Sequence, residues 1–168
     1  MNIAHRLIVT SAGAIALSLA ACTEGPPAKV LTEADPAIKS ADVIGPNINV
    51  QLVFEGVGSA ASPQSIGSAV RNIGRAIQAG APGPTNENEW LQVSAMIDGD
   101  DFGNLRFPLS RLRTADFETI DGFQTLNLAD RAQPGTGNAF QFAVEYCATG
   151  NFRAASTEFC RLVQQHRY

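Results

Sequence analysis

The chain has 168 residues, with 12 Lys and Arg against 16 Asp and Glu and a formal net charge of −4, a length that allows one domain with its own core. An acidic balance with no basic stripe argues against a nucleic-acid-binding surface. Only two histidines are present, one of them His166 near the C-terminus, which argues against a Ser-His-Asp triad, a Cys-His nucleophile and a His-rich zinc site.

Met1 to Arg6 is short and carries His5 and Arg6, and an uncharged run of apolar and small residues follows from Leu7 to Leu19-Ala20-Ala21-Cys22. Charge, apolar core and small-residue exit are the parts of an export signal. The run is too short and too rich in Ala, Ser and Gly for a membrane span, which needs about 20 strongly apolar residues. The tetrad Leu19-Ala20-Ala21-Cys22 resembles the lipobox of bacterial lipoproteins. The resemblance implies a signal peptide over residues 1–21, cleavage before Cys22, and lipidation of Cys22. Two or three acyl chains such as palmitate hold a protein on a membrane firmly where one binds marginally. Thr23, where an Asp often retains Gram-negative lipoproteins at the inner membrane, leans towards the outer membrane and the periplasm.

Residues 22–46 read as a flexible tether. Pro26, Pro27, Pro36 and Pro46 are interspersed with Ala, Glu, Asp and Lys, with no sustained apolar period, a composition that favours extended or disordered chain. One globular domain is expected over 47–168. Ile48, Val50, Leu52 and Phe54 alternate with more polar residues, as in a half-buried strand. Ser62-Pro63 then opens a helix, with Ser62 as N-cap and Pro63 in the first turn. Its stripe is Ile66, Val70, Ile73 and Ile77, with Arg71 and Arg75 opposite, and Gly80 closes it. Gly67 and Gly74 cost helix propensity and suggest close packing on a sheet.

Residues 81–89 form a Pro- and Gly-rich loop. Leu91, Val93, Ala95 and Ile97 predict a second strand; Leu105, Phe107 and Leu109 predict a third, with Asp98 to Asn104 as the hairpin loop between them. Pro108 places that third strand at an edge or ends it early. Residues 111–121 read as a short helix or turn, Leu126 and Leu128 as a short strand, and 132–138 as a loop. Phe140, Phe142, Val144 and Tyr146 alternate, and the chain returns over 157–163, which predicts a final hairpin.

With Cys22 taken by lipid, Cys147 and Cys160 remain as an even pair in an exported chain, so a disulfide is expected. It would contribute about 3 kcal/mol in the chain-entropy picture. Placed across the final hairpin, it would sit on the outer or rim side, with Phe142, Val144 and Tyr146 on the core side. The spacing is not C-x-x-C and points to no redox role.

Chemistry-bearing constellations are few. Asp98, Asp100, Asp101 and Asn104 could offer oxygen ligands to Ca²⁺, although Asp, Gly and Asn also suit a hairpin turn. Asp116, Glu118 and Asp121 cluster in sequence, as a glycosidase carboxylate pair would need, with nothing to set them across a cleft. Trp90 with Tyr146 or Phe102 could stack on a sugar. Gly56-Val57-Gly58 lacks the third glycine of a phosphate loop.

The order strand, helix, then hairpin-linked strands predicts an α+β domain. It would have a largely antiparallel sheet of about five to six strands and one main helix packed on it; the alternative is a β-sandwich with one helix. The expected function is that of a non-enzymatic interaction or assembly module in the cell envelope. Its partners would be the membrane, through the lipid, and another envelope protein, with no cofactor beyond the covalent lipid on Cys22. A small-ligand or Ca²⁺-binding lipoprotein is the second reading, and an envelope hydrolase the third.

Overall fold

The alternation that starts at Ile48 becomes strand β2 (Asn47–Phe54) in a computed structural model that describes residues 28–56, 62–80, 88–148 and 156–166. The signal segment, Cys22 and residues 23–27 lie outside the described residues. The elements before β2 are a helical turn, α1 (Ala28–Thr32), and strand β1 (Ile38–Ile44). After it come α2 (Ser62–Ala79), β3 (Trp90–Ile97), β4 (Asp100–Pro108), α3 (Leu109–Thr114) and α4 (Gly122–Thr125). A 3₁₀ turn (Leu126–Leu128), β5 (Arg131–Pro134), α5 (Phe140–Ala148) and α6 (Thr157–Gln164) complete the fold.

The five strands form one sheet in the order β1-β2-β3-β4-β5. Every neighbouring pair is antiparallel except β2 and β3, which run parallel because α2 carries the chain from one to the other. The result is an α+β architecture on a single mixed sheet, not a sandwich. The β1–β2 turn is Gly45-Pro46, with Gly45 at φ 59, the Gly-X pattern of a tight hairpin. The β3–β4 turn is Asp98-Gly99, where both residues have positive φ (51 and 83), the Asp-Gly arrangement whose twist matches the strands. The loop expected over Asp98 to Asn104 is therefore only two residues long, and Asp100 to Asn104 belong to β4.

One sheet face is the core. Ile48, Val50, Leu52, Leu91, Val93, Ala95, Ile97, Leu105 and Phe107 are all buried on it, under α2 residues Ile66, Val70, Ile73 and Ile77. The glycines of α2 allow close approach, though not to the sheet: a Cβ on Gly67 would lie 2.7 Å from the Gly122 carbonyl carbon, and one on Gly74 would strike the Phe117 ring. Arg71 and Arg75, on the other side of α2, donate to the Phe117 carbonyl at 2.6 to 3.1 Å and fix the 115–121 segment against the helix.

Several expectations are corrected. The stretch from Ala28 to Pro46, read as tether, is folded from α1 onwards: Leu31, Ile38 and Ala41 are buried. A register shift between Ile38 and Ser40 puts Ile38 and Ala41 on the same face at a spacing of three, which removed the alternation that marks a strand. The final hairpin is two helices. In α5 the buried residues are Phe140, Ala143, Tyr146 and Cys147, a helical stripe, while Phe142 and Val144 flank it half-buried. The disulfide Cys147–Cys160 is present and ties α5 to α6 with a Cα separation of 5.3 Å, but both cysteines are buried, not on a rim. Leu126 to Leu128 is a 3₁₀ turn, and the short edge strand β5 lies where a loop was expected. Pro108 ends β4, as its missing N–H requires.

Candidate functional site

The opposite face of the sheet is covered by no described helix, and its composition is unusual. Strand register lines up its outward side chains in rows, of which two adjacent ones are polar throughout, while the next holds half-buried Val53 and Met96 beside Asp101. Asp42, Asn49, Gln92, Arg106 and Arg131 form one row across β1 to β5. Ser40, Gln51, Ser94, Asn104 and Gln133 form the next. All ten are exposed or half-buried, and none is aliphatic. Trp90 and Asn47 stand above them, with the Asn47 side-chain oxygen accepting from the Trp90 amide at 3.2 Å.

The face carries hollows. One of about 190 Å³ is lined by Trp90, Gln92, Asn104, Arg106, Arg131 and Gln133, and a second of about 190 Å³ by Ser40, Asp42, Asn49, Gln51, Gln92 and Ser94. Gln92 lines both, so the two hollows adjoin and together touch all five strands. A third, of about 130 Å³, continues past Trp90 to Pro108 and Asp130. Arg106 is pinned in place: its Nε and Nη2 each donate to an Asp130 carboxylate oxygen at 2.8 Å. Its guanidinium carbon lies 5.7 Å from the Trp90 ring centroid. The Asp130 hydrogen bond raises the Arg106 pKa further, against a smaller lowering by burial, so the cation is permanent. No such pairing holds Asn49, Gln51, Gln92, Asn104 or Gln133; their side-chain amides make no hydrogen bond within the described structure.

The residues singled out in the sequence are dispersed. Asp98 accepts from the Gly56 amide at 2.6 Å; Asp100 from the Asn138 amide at 2.9 Å; Asp101 from the amides of Gly103 and Thr136, each at 2.9 Å. Asp98 thus holds the end of β2, and Asp100 and Asp101 both hold the 136–138 loop, while Asn104 sits on the outer sheet face. Among the described residues no group of three or more His, Cys, Asp or Glu is placed to hold a metal ion. Asp116 and Asp121 act in local turns, Asp121 through a capping box with Gln124, and Glu118 pairs with Arg75 at 2.8 Å. Trp90 is on the outer face, whereas Phe102 and Tyr146 are buried beneath the other, so these aromatics do not converge. His166 is exposed, its ring edge-on to Phe140.

Among the described residues the helical layer buries the polar groups of Thr125, Tyr146 and Ser156. The Ser156 hydroxyl donates to the Phe123 carbonyl at 2.7 Å, so the Tyr146 hydroxyl must be the donor in its 2.8 Å contact with Ser156 Oγ. Burial pushes the phenol pKa up.

The amide rows escaped the sequence reading because polar residues at alternate strand positions look like an ordinary solvated face. The available signal was residue type: Asn is depleted in strands, yet β2 and β4 place Asn47, Asn49 and Asn104 there. No protein-family model, curated protein or solved structure matches this chain.

Proposed function

We propose that this protein is a lipid-anchored, non-enzymatic interaction module of the bacterial cell envelope, using the outer face of its sheet as the docking surface. The observation that carries the reading is that face: adjoining hollows that together touch all five strands, rich in amides that make no hydrogen bond within the described structure. The charged clusters found elsewhere are engaged in holding loops. The lipobox-like Leu19-Ala20-Ala21-Cys22 supports an anchor on Cys22 and delivery to the periplasmic side of the outer membrane.

Such an anchor holds the domain near the membrane while the sheet presents its side-chain amides to a second envelope component. The test is fractionation of cells expressing the full chain or Cys22→Ser. The full chain should partition with membranes and carry acyl mass on Cys22. Cys22→Ser should be soluble or unprocessed, and unchanged attachment in that variant would refute the anchor.

A further inference from the structure

We propose that the occupant of the outer sheet face is an N-acetylated glycan strand of the cell wall, laid across the β-strands. The inference rests on the reading of that face as the docking surface and adds the chemical class of what binds there.

The first ground is the balance of groups. Sugar hydroxyls and acetamido groups each need a donor and an acceptor, and Asn and Gln side chains supply both from one planar group. Asn49, Gln51, Gln92, Asn104 and Gln133 place five such groups on neighbouring strands. A strand interior disfavours Asn, and residues that break a local rule without structural benefit mark functional surfaces.

Charge is the second ground. The Arg106 cation is neutralised by Asp130, and Asp42 and Arg131 stand at opposite ends of the same row. The centre of the face therefore carries amides and a neutralised ion pair, with Arg131 as a further cation in the hollow beside Trp90, a balance that suits a polar chain of low charge better than a basic peptide. A protein partner would want an aromatic and aliphatic centre, whereas here the aliphatic Val53 and Met96 lie in the next row, beyond the amides.

Spacing is the third. Neighbouring strands lie ~4.8 Å apart, close to the length of one pyranose in an extended β-linked chain. Successive sugars would thus meet equivalent side chains on successive strands. Trp90, at the rim of the groove and braced by Arg106, offers the apolar ring that the face of a sugar packs against.

Trp90 is the only tryptophan, so its emission reports the site directly. The full chain is titrated with chitohexaose, with cellohexaose as the sugar lacking acetamido groups, by fluorescence and by calorimetry. Chitohexaose should bind saturably and cellohexaose at least tenfold more weakly. Gln92→Ala combined with Asn104→Ala should weaken binding at least tenfold with an unchanged melting temperature, and Gln133→Ala alone should weaken it by a smaller factor. The protein should also sediment with purified cell-wall sacculi and be released by chitohexaose. Absence of binding by both methods, equal binding of cellohexaose, wild-type affinity in the variants, or failure to sediment with sacculi each overturns the glycan assignment. The docking reading fails separately, if a photocrosslinker at Gln92 captures nothing in intact cells; a protein adduct there would retain it while refuting the glycan.

Discussion

The Arg106 guanidinium and the Asp130 carboxylate meet through two parallel hydrogen bonds of 2.8 Å, and this pair sets the floor of the groove beside Trp90. Arg106 is on β4 and Asp130 immediately precedes β5, so the ion pair also clamps the short edge strand. The Asp130 amide adds a bond to the Arg106 carbonyl at 2.9 Å. A bidentate arginine fork has a fixed plane, which is what a surface holding a ligand by geometry requires.

Removing that clamp tests it. Asp130→Ala should cost about 1 kcal/mol, since the pair is partly exposed and solvent screens it. It should also shift Trp90 emission, because the guanidinium is free to leave the ring. Arg106→Lys should shift the emission likewise, since an ammonium cannot form the fork. Unchanged emission in Asp130→Ala would show that Arg106 is held by something else.

The glycines of α2 make an unusual demand. Helix propensity alone says that Gly67→Ala stabilises an α-helix by about 1 kcal/mol. Here the new Cβ would lie 2.7 Å from the Gly122 carbonyl carbon, which is backbone and cannot swing aside. The expected net effect is destabilisation of roughly 1–3 kcal/mol, read from a urea melt. A stabilised variant would contradict the close packing of α2 on α4.

Cys147 and Cys160 are 13 residues apart and join two helices. Reduction, or Cys147→Ser with Cys160→Ser, should lower stability by about 3 kcal/mol. Non-reducing peptide mapping should recover the two cysteines in one linked pair. Loss of α5 and α6 helicity on reduction would be local, while the sheet retains its circular-dichroism signal.

Tyr146 gives a pH dependence with a defined sign. Its pKa in the fold is raised above the ordinary value of 10.0 by burial. The folded state therefore keeps the phenol proton more tightly than the unfolded chain. The associated stability is complete below about pH 10 and is lost as pH rises through the folded value. Tyr146→Phe should be less stable than the parent at neutral pH, having lost the hydrogen bond to Ser156, and should show less alkaline destabilisation. A parallel decline of both proteins with rising pH would place the alkaline effect elsewhere.

Legibility in the sequence followed the physics of each element. Strands β2 and β3 and the helix α2 were readable because one face of each is buried without interruption, so Ile48 to Phe54 and Ile66 to Ile77 keep their periods. Strand β1 was hidden by its register shift at Lys39, although the Gly45-Pro46 turn before β2 was a usable sign. Helix α5 was misread because Phe142 and Val144 are apolar flanks of the true stripe, and an aromatic run alternates by coincidence. The cysteine pair was legible from parity and the export-like N-terminal segment. The groove was not: it consists of what lies opposite the core residues, and only strand pairing shows that Asn49, Gln92 and Arg106 stand side by side.

The claim that the outer sheet face is where this protein meets its partner is tested most directly by photocrosslinking in intact cells. A benzophenone residue at Gln92, in the middle of the groove, is compared with one at Gln64, exposed on α2. A discrete adduct at Gln92 and none at Gln64 is the predicted result. No adduct at Gln92, or equal labelling from both positions, would contradict it.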